Sequence, residues 1–153
     1  TETQAGEFCL TVLVSMLPVV ELRGGIPFGV AAGLSMPAAF LAAFLGNMLP
    51  VPFLILFVRR LFSWLKAHVP FVRGVVDWLE QRTEKKKEAV LKYQTWGLFL
   101  FVAIPLPGTG AWTGAMIAAA LDMRLSKAVP AITAGVLAAG FIITCITHSV
   151  TAL

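Results

Sequence analysis

Charge is scarce in this sequence. Only 13% of its 153 residues are Asp, Glu, Lys or Arg, while 58% are hydrophobic, against about 25% charged in an ordinary soluble domain. A water-solvated globular domain is thereby excluded, and lipid is the expected solvent. Cysteine is scarce too. Cys9 and Cys145 stand alone inside apolar runs, too few for a framework of several disulfides and too far apart in sequence for a thiolate metal motif. The two read as packing residues. HExxH and GxSxG are missing, and no Gly-Lys-Ser/Thr follows the glycines at 108 and 110, so metalloprotease, serine-hydrolase and Walker-loop chemistry have no carrier. No cofactor, metal or enzymatic activity is expected. Basic residues are absent ahead of the first apolar run, Phe8 to Val20, which follows Glu2 and Glu7. It is therefore expected to remain in the mature protein rather than act as a signal peptide.

What is present is a set of apolar runs, some long enough to cross a bilayer and some not. A hydrocarbon core of about 30 Å needs about 20 apolar residues per helix. Phe8 to Val20 falls short and is interrupted by Pro18 and then by Glu21-Leu22-Arg23-Gly24-Gly25, after which Ile26-Pro27-Phe28 resumes an apolar arm to Leu34. This predicts two half-length helices meeting at a polar turn, a re-entrant hairpin. Pro37 to Val58 predicts a full span, with Asn47 as a weak candidate to line a path. After Trp96 the plan recurs: an apolar run to Ile104, the break Pro105-Leu106-Pro107-Gly108-Thr109-Gly110, a return arm from Ala111 to Leu121, and a second span from Ala128 to Thr147.

The fold expected is thus an all-α integral membrane domain over 1–153, an inverted repeat in which each half is a re-entrant helical hairpin followed by one transmembrane helix. Repeat 1 covers 8–58 and repeat 2 covers 96–147. A register of 87 residues sets Pro18 on Pro105 and Ala31-Ala32-Gly33-Leu34-Ser35-Met36 on Ala118-Ala119-Ala120-Leu121-Asp122-Met123. Each half crosses once, so the second enters upside down, a plan that places transporter sites near the midplane. Five or six ordinary spans without hairpins is the alternative.

Between the repeats, 59–95 holds nine Lys or Arg, and Val72, Val75, Val76 and Leu79 fall on one helical face. That spacing predicts an amphipathic interfacial linker anchored by Trp64 and Trp78. The linker, Arg124 and Lys127 together carry all the basic residues except Arg23. The positive-inside rule makes their side cytoplasmic and puts both termini outside the cell (inner) membrane. The basic linker points to anionic lipid headgroups and away from nucleic acid.

Glu21 and Arg23 are the only ionisable residues between Glu7 and Arg59. An ionisable group at depth costs about 2.5–3.5 kcal/mol on insertion scales and normally faces a cavity or a protein interior. Glu21 is the candidate proton acceptor, and Arg23 can hold a phosphate or carboxylate by a bidentate contact. The competing reading is a mutual ion pair that only holds the turn. At the breaks, proline removes N–H donors and glycine permits unusual dihedrals, so Gly24, Gly25, Pro27, Pro105, Pro107, Gly108, Thr109, Gly110, Trp112 and Thr113 are the candidate substrate locus beside Arg23.

Glu21-Leu22-Arg23-Gly24-Gly25-Ile26-Pro27 together with Pro105-Leu106-Pro107-Gly108-Thr109-Gly110-Ala111-Trp112-Thr113-Gly114 resembles the small multidrug export protein family, over nearly the whole chain. That family is similar to a compact form of the DedA (VTT-domain) superfamily, whose members have two re-entrant hairpins in an inverted arrangement. The resemblance implies proton-motive-force-dependent movement of lipids such as undecaprenyl phosphate, with Glu21 matching the acidic residue of the hairpin. It departs from DedA in lacking an arginine at the second break, which leaves Arg23 alone in that role. The function expected is a proton-coupled secondary transporter that exports or flips an amphiphilic substrate, of polyprenyl phosphate type or a hydrophobic drug, as a homodimer. A non-transporting scaffold that binds a partner through the linker is the other class.

Overall fold

The structure is a computed structural model and describes residues 2–83, 87–106 and 108–153. Lys85, Lys86 and Pro107 lie outside these residues. The described residues are all-helical, without a strand, in the order α1 (Glu2–Ser15), α2 (Glu21–Ala31), α3 (Met36–Met48), α4 (Pro50–His68), α5 (Pro70–Thr83), α6 (Lys87–Ala103), α7 (Ala111–Ala120) and α8 (Leu125–Thr151).

Two helical runs are long and apolar enough to cross a membrane. The 27 residues of α8 span about 40 Å at about 1.5 Å per residue. The other run is α3 continued into α4, 33 residues from Met36 to His68. Leu49 joins the two with helical dihedrals, φ −54° and ψ −48°. Pro50 opens α4 where a proline is tolerated, because the first helical N–H groups lack intrahelical partners anyway. The apolar span expected to close at Val58 therefore carries on through Arg59, Arg60 and Lys66, and the basic region 59–95 is built from the end of α4, all of α5 and the start of α6.

The break before α2 also lies elsewhere than expected. Helix α1 stops at Ser15 and α2 begins at Glu21, so the interruption is Met16–Val20 around Pro18. Glu21, Arg23, Gly24 and Gly25 form the first turns of a helix, and Pro27 sits exposed inside it. Glycine costs only about 1 kcal/mol in a helix, and here its lack of a side chain allows contact. A Cβ at Gly25 would stand 1.9 Å from Ser15 Oγ, and one at Gly29 would meet Thr11 and Ala39 within 3.2 Å. Gly33 in turn faces Glu7. Rising numbers on α2 meet falling numbers on α1, so the pair is an antiparallel hairpin zipped along Gly25, Gly29 and Gly33. The α3 helix packs over both of its arms.

Helix α6 packs mainly on α8, and α7 mainly on α4. Gly135 of α8 lies under Val102 and Phe99 of α6, so the Ala131-Gly135-Ala139 face is used inside the chain. The buried core is rich in alanine, with Ala39, Ala42, Ala43, Ala115 and Ala118 at 0% exposure. Large apolar side chains such as Phe53, Phe57 and Phe141 point outward. Small residues inside and large ones outside is the arrangement expected where lipid is the solvent, because helices there associate by close backbone approach.

Both short arms end in the same way. Leu34 N–H donates to the Gly29 carbonyl, and Met123 N–H to that of Ala118. Gly33 and Asp122 hold the left-handed position between them, at φ 109° and 52°. These are matching Schellman motifs. Gly33 and Asp122 are 89 positions apart, which replaces the register of 87 at this corner: runs of alanine align with one another at several offsets, whereas a left-handed residue can occupy one position only.

Candidate functional site

Two helix starts meet at Glu21. The residue is 5% exposed and has φ 50°, a left-handed conformation that a side chain with a Cβ adopts at a cost of about 1–2 kcal/mol. Its carboxylate is held from two sides. Arg23 Nη1 donates to Oε2 at 2.8 Å, and the Trp112 backbone N–H, in the first turn of α7, donates to Oε1 at 3.1 Å. A helix N-terminus favours an anion through its unpaired N–H groups and its dipole. Glu21 thus serves α7 as a cap supplied from the other hairpin. Gly110 permits this approach, since a Cβ there would lie 1.4 Å from Glu21 Oε2.

Arg23 continues across the second break. Its Nη2 donates to the Ile104 carbonyl at 3.0 Å, to Thr109 Oγ1 at 3.0 Å and to the Val102 carbonyl at 3.4 Å. The end of the helix explains part of this arrangement: α6 stops at Ala103, and the carbonyls of a last helical turn have no intrahelical donor. The guanidinium takes that place. Thr109 Oγ1 stands between, close to the Ile104 carbonyl at 2.6 Å and the Leu106 carbonyl at 2.8 Å, and accepts from Leu106 N–H at 3.3 Å. One hydroxyl thus ties the loop to itself and to Arg23.

Of the candidate residues, Glu21, Arg23, Thr109, Gly110 and Trp112 come together, and Pro105 lies in the same loop. Gly108 is exposed and turns the chain at φ 82°. Gly24 packs against Val20, and Gly25 faces α1 and α3. Pro27 is exposed on α2, so these three stand apart from the contacts around the carboxylate. Thr113 is half-buried, and Pro107 is outside the described residues.

Three backbone partners were not anticipated. The Trp112 indole Nε1 donates to the Met16 carbonyl at 3.0 Å, which joins the first break to the second hairpin. The carbonyls of Val102 and Ile104 accept from Arg23. Every residue has a carbonyl, so no sequence signal singles these out. Ser15 Oγ and Asn47 Oδ1, at residue exposures of 0% and 2%, have no hydrogen-bond partner among the described residues. A polar residue inside an apolar run was the available signal for both, and Asn47 ranked low.

Chemically the arrangement is a buried carboxylate and guanidinium whose partners include backbone groups of two helix ends. Neutralising the carboxylate weakens its hold on Arg23 and α7 together. Neither a curated protein nor a solved structure matches the chain. A family model described as "Putative small multi-drug export protein" matches residues 21–142, starting at the strained glutamate and running through the second break into α8. The chain belongs to that family.

Proposed function

We propose that the chain is a DedA-like secondary transporter, coupled to protons, that exports or flips an amphiphilic or lipid substrate of polyprenyl phosphate type or a hydrophobic drug. The observation that carries this reading is the Glu21 carboxylate, shared between Arg23 and the first turn of α7. Protonation of Glu21 from one side of the membrane cancels its charge and loosens both bonds. The Arg23 guanidinium is then released to take a phosphate or another anionic group bidentately, between the loops at Met16–Val20 and 104–110. Return of the proton to the other side restores the pair and expels the substrate.

The membrane plan that supports this is the inverted one. Helices α1, α2 and α7, of 14, 11 and 10 residues, are shorter than the roughly 20 residues that a crossing needs, and enter as re-entrant hairpins. The linker and the corner carrying Arg124 and Lys127 face the cytoplasm, and both termini lie outside. A homodimer encloses the substrate path between two copies of this fold.

One observation favours a second reading, a non-transporting scaffold: Glu21 and Arg23 bond to each other and to the second break, as a purely structural clamp would. The deciding experiment is substrate-triggered proton flux in proteoliposomes, wild type against Glu21→Gln, with a polyprenyl phosphate and then a lipophilic cation. Flux with either substrate, absent in Glu21→Gln, is the expected result. Folded wild-type protein that passes no protons with either one removes the coupling for these substrates and leaves an uncoupled translocase or the scaffold.

A further inference from the structure

A second polar site lies away from the Glu21 cluster, where the end of α7 meets α4. Arg59, Ser63 and Lys66 fall four and three residues apart on α4, which puts them on one helical face. With Phe62 they line a groove of about 330 Å³, closed on its other side by Ala119, Ala120 and Asp122. That volume is at the lower end of the about 300–1,000 Å³ typical of small-molecule sites. Arg59 is held in place: its Nη2 donates to the Met123 carbonyl, and its Nε lies 3.3 Å from Asp122 Oδ1. Lys66 is 3.9 Å from Asp77 of α5, so a third helix leans on the groove. The Asp122 side chain is 85% exposed and remains open to a further cation.

The groove is at a membrane boundary on two independent counts. Arg59 is the first charged residue after the apolar stretch of α3 and α4, and Asp122 sits in the corner just before α8. A ligand here meets two cations, Arg59 and Lys66, and two carboxylates, Asp122 in the groove and Asp77 beside Lys66. A purely anionic headgroup would meet the carboxylates unfavourably, whereas a headgroup with a phosphate and an ammonium matches both signs. We infer that the groove is a binding site for an aminophospholipid of the phosphatidylethanolamine type, its phosphate on Arg59 and Lys66 and its ammonium on Asp122. The site goes beyond the transport reading and stands without it, needing only that the chain span a membrane.

The test is native mass spectrometry of the full chain, released from nanodiscs of equimolar phosphatidylethanolamine and phosphatidylglycerol. Wild type is expected to retain the ethanolamine lipid over the glycerol lipid by roughly tenfold, the ratio that about 1.4 kcal/mol carries. Lys66→Gln lowers retention of both, and Asp122→Asn abolishes the preference. Arg59→Gln is a weaker probe because Arg59 also holds the Met123 carbonyl, whereas Lys66→Gln and Asp122→Asn leave that contact alone. Equal or preferential retention of phosphatidylglycerol overturns the assignment in favour of a general basic surface. Retention unchanged in Lys66→Gln and Asp122→Asn overturns it as well.

Discussion

Glu21 combines three costs at one residue: a buried charge, a left-handed backbone and a neighbour that must be glycine. Strain of this kind persists only where the surroundings over-determine it, and it gathers at functional positions. Gly110→Ala tests the arrangement most directly. A methyl 1.4 Å from Oε2 forces the carboxylate away from Arg23 and Trp112. Breaking a buried pair costs about 3–5 kcal/mol, and a clear fall in the melting temperature of the detergent-solubilised protein is expected. An unchanged melting point means that Glu21 is not locked against α7. Thr109→Val removes a hydroxyl that accepts from Arg23 and bonds within its own loop. A loss of about 1–3 kcal/mol is expected, smaller than for Gly110→Ala in the same assay. At this scale the sequence was legible where chemistry is rare. Two ionisable residues in a long uncharged stretch mark a site wherever they lie, but their carbonyl partners carry no such mark.

At the scale of elements, the short helices are set by how they stop. The Schellman corners at Gly33 and Asp122 end α2 and α7 and aim the chain into α3 and α8. Gly33→Ala is expected to destabilise by about 1–2 kcal/mol, since alanine adopts φ 109° poorly. Asp122→Gly is expected to stabilise by up to about 1 kcal/mol, because its pair with Arg59 is exposed and weak. Opposite signs at the two positions, read as shifts in melting temperature, establish that the corners are equivalent; the same sign at both refutes it. The Gly24-Gly25 pair and Pro27 read as a break because both residue types interrupt isolated helices. Contact of Gly25 with Ser15 and Ala43 reverses that preference, as tertiary packing regularly does.

For the whole molecule, the inverted plan makes a claim about sides. With Cys9 and Cys145 replaced by serine, single cysteines are introduced as Thr3→Cys, Arg73→Cys and Lys127→Cys and challenged with an impermeant maleimide in oriented vesicles. Arg73→Cys and Lys127→Cys are expected to react from the cytoplasmic side and Thr3→Cys from the other. If Arg73→Cys and Lys127→Cys react from opposite sides, the two halves are not inverted. Lipid as the solvent, in whichever topology, suits the outward phenylalanines of α4 and α8, which in water would be an aggregation hazard.

Composition and run length alone pointed to a helical membrane protein and singled out Glu21 and Arg23, because the bilayer penalises every charge and every unpaired backbone group along the chain. They also located the second break and α8 to within a few residues. Only the tertiary structure decided that the first break lies at Met16–Val20, that the two corners stand 89 positions apart, and that Glu21 caps α7. Those outcomes depend on glycine contacts between helices and on backbone groups at helix ends far away in sequence, and neither has a local signature.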